Sequence, residues 1–245
     1  MSTLIFTIAQ NGYSTAFLQC IKSQRKYAQD LGANFVAITE PKRVPDTSLS
    51  AWLKIPILLH ALESGYDWVG YIDADCQVQK RAIDFREHLN EVGPGIFMAY
   101  GRSGRVNSGV IFARKSAEAI GFLHKVLSTI TQPIPAEDRA SLKYENGNVI
   151  YVQRNWGGVQ ILDPRWNNAT DSAMQDYIRH YTGQMRSTLR RPLWRELQFQ
   201  FLRRTRNRQF IKFKSQPEQR EQSFLSNLQA LELQVRKMYP TLVLE

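Results

Sequence analysis

The sequence contains only two cysteines, Cys20 and Cys76, in 245 residues. Two thiols make no disulfide framework, so the expected setting is a reduced, cytoplasmic one. Long apolar runs are missing as well. No stretch approaches the roughly 18 uninterrupted apolar residues of a membrane span. The first residues lack a basic stretch ahead of a long apolar one and do not read as a signal peptide. Neither a G-x-G-x-x-G nor a Walker pattern occurs, which leaves the ordinary dinucleotide and ATP folds without support. Internal repeats and low-complexity tracts are absent too. What the chain does have is 43% apolar and 11% aromatic residues. That is enough for a full core, excludes disorder of the whole chain, and at this length suggests one large domain or a domain with an appendage.

Acidic charge is scarce in one place. The net charge is +10, and residues 184–214 hold ten basic residues against the single acid Glu196. The remainder is close to neutral, so the positive charge belongs to one segment. Such a segment suits nucleic acid, an anionic membrane or an acidic partner. Within it, Leu193, Trp194, Leu197 and Phe201 share one helical face, with Arg195, Arg203, Arg206 and Lys212 among the basic positions. This fits an interfacial helix over residues 190–214 on anionic lipid, as for a protein attached at the inner membrane face. The favoured reading is the plainer one, an apolar face packed on the body with solvated charges; nucleic acid is the least favoured of the three.

Apolar patterning predicts strands over 3–9, 34–39, 68–76, 95–100, 107–114, 148–152 and 159–163. Helices are expected over 14–31, 51–64 and 116–130, the second with a kink or a late start at Pro56, the third capped by Ser116. Residues 40–50 read as an ordered loop. Strands alternating with helices indicate an α/β fold with a mainly parallel sheet. A last helix over 219–239 aligns Phe224, Leu228, Leu231, Val235 and Met238 in one stripe. The stripe either docks on the body or forms the seam of a homo-oligomer.

Asp73-Ala74-Asp75 is the most informative triplet. Two acids directly after an apolar strand are costly unless they meet solvent, a cation or a ligand. The carboxyl ends of strands in open α/β sheets are where ligands bind. Two carboxylates so spaced suit one hard divalent cation, Mn2+ or Mg2+, which can bridge nucleotide phosphates; solvated loop acids are the plainer alternative.

Trp52-x-Lys54, a helix and then the Asp-ended strand form a pattern that resembles the metal-dependent GT-A-fold glycosyltransferases. The nearest likenesses are the retaining families of the glycogenin, lipopolysaccharide galactosyl- and glucosyltransferase, and galactosyl/xylosyltransferase kinds. Further motifs follow in chain order. Asn107-Ser108-Gly109 resembles the families' N-x-G segment, whose Asn contacts the donor sugar. Glu137-Asp138 lies where they carry an acidic pair, and 162–168 is similar to their Leu-Pro-x-Tyr/Trp-Asn segment. His180-Tyr181-Thr182-Gly183 resembles their His-Phe/Tyr-x-Gly motif. A looser match at Arg190-Arg191-Pro192-Leu193-Trp194 leaves Arg186, Arg190 and Arg191 all open as the phosphate contact.

The resemblance implies a GT-A domain over 1–189, a single mainly parallel sheet flanked by helices, with a basic and amphipathic helical extension over 190–245. It implies a hexosyltransferase that takes a UDP- or GDP-sugar donor and a saccharide or lipid-linked acceptor and retains the anomeric configuration. Asp73, Asp75 and His180 are then the metal ligands. His180 must be neutral to ligate, so activity is expected to fall at acid pH. Donor contacts are expected from Ala9, Asn11, Tyr13, Lys54, Asp73, Ala74, Asp75, Asn107, Ser108, Gly109, Gly183 and Arg186. Tyr13 offers a face to a base, and Lys54 is either a phosphate contact or an ordinary solvated helix lysine. Glu137 or Asp138 is the candidate nucleophile; otherwise the leaving phosphate deprotonates the acceptor and these residues only hold the sugar. Glu145-Asn146 is a weaker candidate, because Asn146-Gly147 also reads as a hairpin turn. Cys76 reads as a small buried residue. The competing function is a non-catalytic module of the same fold that binds nucleic acid or a membrane surface.

Overall fold

The computed structural model describes residues 1–89, 93–138, 144–189, 192, 194, 196, 197, 199–201 and 217–244. Arg190, Arg191, Leu193, Arg195, Arg203, Arg206 and Lys212 lie outside the described residues, and with them most of the basic segment.

Strands β1 (Thr3–Ile8) and β3 (Trp68–Ile72) are buried at every position, as strands covered on both faces must be. β1 lies between β2 (Asn34–Ile38) and β3 and is parallel to both. After β4 (Cys76–Val78) come β5 (Ile96–Ala99), β6 (Val110–Arg114) and β7 (Gln160–Leu162). The six-stranded sheet has the order β2-β1-β3-β6-β5-β7. β6 is antiparallel to both β3 and β5, and β5 is parallel to β7, so β6 alone points the other way. The fold is the expected α/β one, with a mostly parallel sheet.

The helices are α1 (Tyr13–Ala16), α2 (Leu18–Asp30), α3 (Thr47–Trp52), α4 (Lys54–Ser64), α5 (Phe85–His88), α6 (Ala117–Ser128), α7 (Asn146–Trp156) and α8 (Pro217–Met238). Alternation along β1 shows how they cover the sheet. Leu4, Phe6 and Ile8 face one cluster, built with α4, α6, α7 and α8; Ile5 faces the other, with Tyr27 and Ala28 of α2, Phe85 and Trp166. Among the described residues no helix is long and apolar enough to cross a membrane.

Four sequence expectations need correction. Residues 148–152 are helix, not strand: they lie in α7, where Asn148 Nδ2 donates to Thr129 O (3.0 Å) and Thr129 Oγ1 (2.9 Å). The run Val149-Ile150-Tyr151-Val152 has strand-like composition, but packing against α6 overrides that preference. Asn146-Gly147, read as a hairpin turn, is the first turn of that helix. The loop 40–50 gives way to α3, whose first turn is capped by the Asp46 carboxylate accepting from Ser48 N at 2.9 Å. Strand 68–76 ends at Ile72, and Cys76 begins a separate strand. Pro56 sits in the first turn of α4, where its missing N–H costs nothing, so the late start holds rather than the kink. Ser116 caps α6, its Oγ accepting from Ala119 N at 3.0 Å.

Most of the stripe on α8 is buried within the chain, while Met238 at its end is exposed. Leu228, Leu231 and Val235 belong to the larger core, and Phe224 meets Trp52 edge-on at 6.3 Å. The segment after α8 is pinned where Thr39 N and Glu40 N donate to Tyr239 Oη at 3.0 and 2.9 Å.

Candidate active site

A cleft of about 370 Å³ opens beyond the carboxyl ends of β1 and β3. Its position follows from strand direction. Because β6 runs against β3, the residues that precede β6 meet those that follow β3: Ile72 pairs with Val110, and Asp73 N donates to Gly109 O at 2.7 Å. Asn107-Ser108-Gly109 and Asp73-Ala74-Asp75 therefore line one cleft.

A second, two-stranded sheet brings in His180. β8 (Ile178–His180) pairs antiparallel with β4, with Cys76 opposite His180. Tyr181 N then donates to Asp75 O at 2.9 Å. His180 Nε2 comes to lie 3.4 Å from Asp75 Oδ1 and 3.8 Å from Asp73 Oδ2, while Nδ1 is 2.9 Å from Asn167 Oδ1. Gly109 makes room for the ring: a methyl group there would lie 2.8 Å from His180 Nδ1 and overlap Cε1.

Lys54 lies beneath the two acids. It is buried, with its Nζ 2.7 Å from Glu145 Oε1, 3.4 Å from Asp73 Oδ1 and 3.3 Å from Ser108 O, and 4.5 Å above the Tyr71 ring. The solvated-lysine alternative is thereby excluded. Ser108 Oγ also donates to Glu145 Oε1 at 2.8 Å, and Ser108 N donates to Asn146 Oδ1 at 2.8 Å. The Tyr71 hydroxyl donates to Asp73 Oδ1.

Burial disfavours charge on every one of these groups, and the neighbours decide the outcome. At Lys54, burial lowers the pKa, but the Asp73 and Glu145 carboxylates outweigh it and hold the ammonium above its ordinary value. At Asp73, burial and the charge of Asp75 prevail over Lys54 and His180, so the carboxyl lies above the usual range. At Asp75, burial is outweighed by His180, with Arg186 adding to it, and the carboxyl lies below the range. Burial alone would lower the His180 imidazole, but Asp75 and Asp73 lift it above its ordinary value. The Cys76 thiol is pushed well up by burial.

The donor set fits a hard divalent cation. Asp75, Cys76 and His180 offer atoms all within 4.8 Å of one another. The Cys76 thiol, kept protonated by burial, is a poor ligand. Asp75 and the Nε2 of His180 remain of that group, and Asp73 Oδ2, 3.8 Å from Nε2, adds a second carboxylate; oxygen and imidazole donors of this kind suit Mn2+ or Mg2+.

The other expected site residues divide. Asn11, Tyr13 and Arg186 line the cleft. Asn11 uses its amide on the loop after β2, its Oδ1 accepting from Val44 N at 3.0 Å. Tyr13 packs against Phe17 and, edge-on, Phe199, with centroids 5.3 and 5.4 Å away. Ala9 is buried behind the floor in a cluster with Ala74. Gly183 follows Thr182 at a φ of 52°, a conformation that disfavours other residues, and the Arg102 guanidinium lies over it. Glu137 and Asp138 are not among the lining residues: Arg154 binds Glu137 Oε1 and Asp138 Oδ2, each at 2.8 Å. Glu145, ranked low from sequence, faces the cleft with Asn146 instead. The helical spacing of Val149, Val152 and Trp156 was the signal that could have set Glu145 at the start of a helix rather than in a hairpin.

Neither a protein-family model nor a curated protein matches the sequence. Solved structures do match. A glycosyltransferase involved in the glycosylation of the major capsid of PBCV-1 superposes with a TM-score of 0.57 at 17% identity, over 76% of this chain and 98% of its own. The apo form of the glycosyltransferase GlyE in Streptococcus pneumoniae TIGR4 gives 0.52 at 10% identity, over 94% of this chain and 64% of its own. The chain has the GT-A glycosyltransferase fold.

Proposed function

We propose that the protein transfers a sugar from a UDP- or GDP-sugar to an acceptor hydroxyl, using Mn2+ or Mg2+ held by Asp73, Asp75 and His180. The observation that carries this reading is the convergence of His180 Nε2 on the two carboxylates, 3.4 and 3.8 Å away, at the floor of a cleft. When bound there, a divalent cation supplies Lewis-acid neutralisation of the departing diphosphate.

Two orphaned atoms support a phosphate- and hydroxyl-bearing ligand. Arg186 Nε and Glu145 Oε2 are buried and without a hydrogen-bond partner among the described residues, and both residues line the cleft. A donor sugar nucleotide satisfies both, the guanidinium meeting phosphate charge and the carboxylate accepting from a sugar hydroxyl. Lys54 and Ser108 fix Glu145 through its other oxygen, which makes Lys54 a positioning group for the carboxylates. Glu145 takes the sugar-holding role expected of Glu137 and Asp138, since Arg154 engages both of those. In the transfer, the anomeric carbon's bond to the phosphate oxygen breaks as its bond to the acceptor oxygen forms. The acceptor proton passes to the leaving phosphate on the same face, which retains configuration.

The test is nucleotide release from a panel of UDP- and GDP-sugars with Mn2+. Release from at least one donor is expected, and Asp75→Asn should lower it by about a hundredfold or more. No release from any donor overturns the reading.

A second reading concerns where the acceptor is presented. Trp194, Leu197 and Phe201 are 58%, 67% and 67% exposed and spaced to share one helical face, inside the basic segment. This supports an acceptor at an anionic membrane surface. The wild-type chain should float with anionic vesicles and not with neutral ones, and replacing all three residues with Ser should abolish flotation. Flotation unchanged in that variant excludes the reading.

A further inference from the structure

We propose that Asn167 is a positioning residue that fixes the proton of the His180 imidazole on Nδ1 and so turns the Nε2 lone pair toward Asp73 and Asp75. The inference rests on the proposed metal-holding role of His180, and it is argued from a chain of amides outside the Asp-x-Asp segment.

The chain starts on backbone groups, whose hydrogen-bonding roles are fixed. Gly109 N–H donates to Asn107 Oδ1 at 2.9 Å, so that atom of Asn107 is the oxygen. The side-chain atom of Asn167 that lies 2.9 Å from Asn107 Oδ1 also lies 3.3 Å from the backbone carbonyl of Asn107. Both neighbours are acceptors, so this atom is the Nδ2 amide nitrogen. The remaining atom, Asn167 Oδ1, is 2.9 Å from His180 Nδ1 and only accepts, so Nδ1 carries a proton. The opposite neutral tautomer would set two lone pairs against each other in a buried site, since Asn167 is 1% and His180 5% exposed.

Asn167 itself has little freedom. It ends the short 3-10 turn Pro164–Asn167, just after Trp166, which is fully buried against Phe112 and Tyr177. On its other side Asn168 is tied down, its Nδ2 donating to Asp176 Oδ2 at 2.6 Å and its carbonyl accepting from His180 N at 2.9 Å. The same short segment thus holds the histidine by its backbone and by its ring. A ring nitrogen that donates to a fixed acceptor is how proteins orient the other nitrogen toward a metal.

Two readouts test this. The first is the tautomer of His180 in the protein with excess Mg2+, where the cation takes the Nε2 lone pair that otherwise faces Asp75, from long-range 1H–15N correlations at a pH above the imidazole's titration, assigned against His180→Gln. The second is Mn2+ binding alone, from loss of the free ion's EPR signal. Wild type should show Nδ1–H. Asn167→Leu, which keeps bulk and removes the acceptor, should lose that preference and bind Mn2+ about 10–100-fold more weakly. Asn167→Asp keeps the acceptor facing Nδ1, while its second oxygen meets the two Asn107 acceptors, so it should keep the Nδ1–H tautomer at a cost in stability. Asn167→Leu with an unchanged tautomer and affinity overturns the proposal, and so does Asn167→Asp with a lost tautomer. Should Asn167→Leu fail to fold, the Asn167→Asp arm alone decides. Wild-type protein that shows Nδ1–H but binds no Mn2+ contradicts the metal site and not the amide chain; wild-type protein that binds Mn2+ with the proton on Nε2 contradicts the amide chain alone.

Discussion

Lys54 is 3% exposed and in contact with two carboxylates, which makes it the residue on which the site's electrostatics turn. Its ammonium offsets Asp73 and Glu145, and without it the buried Glu145 would lose its cation beside the partly exposed Asp73. Removing one partner of a buried pair leaves the other charge uncompensated. Lys54→Met is therefore expected to destabilise the protein by about 3–5 kcal/mol in urea unfolding. A loss below ~1 kcal/mol would mean the lysine acts as an exposed pair does and that the site does not depend on it. In sequence the same lysine was open between ligand contact and solvated surface. The solvated reading fails, because the lysine is buried where it lines the cleft, and its partner Glu145 is far along the chain.

Elements whose residues are all buried were the most legible. β1 and β3 are mostly apolar runs, broken in β1 by Thr3 and Thr7, with acids or turn residues soon after them, and a run of that kind has few alternatives at this length. α7 was illegible for the converse reason. Its Val149, Ile150 and Val152 favour a strand locally, and the packing of α7 on α6, with Asn148 bonded to Thr129, outweighs that preference. That misreading hid Glu145 and Asn146, because a hairpin turn there would have pointed them to solvent. α8 was legible as a helix but not as to its partner. The structure buries Leu231 in the chain's own core, so Leu231→Ala is expected to cost about 2–5 kcal/mol, independent of protein concentration. A loss that shrinks as concentration rises would show that a second copy covers the stripe.

At the scale of the molecule, function is set by strand direction. A parallel β1 and β3 deliver their carboxyl ends to one edge, and the reversed β6 returns Asn107 to Gly109 to the same edge. β4 and β8, outside the main sheet, add His180. Periodicity does not reveal that last pairing, because its two strands are three residues each and remote in sequence; only the resemblance of the motif at His180 pointed there. The central claim is that a cation held by these three residues carries the diphosphate. Calorimetric titration with UDP and GDP, with and without Mn2+, tests it most directly. The account predicts that one of the two nucleotides binds wild-type protein at least tenfold more tightly with Mn2+, and that Asp75→Asn removes the gain. Equal affinity with and without Mn2+, or a gain that survives in Asp75→Asn, would contradict it.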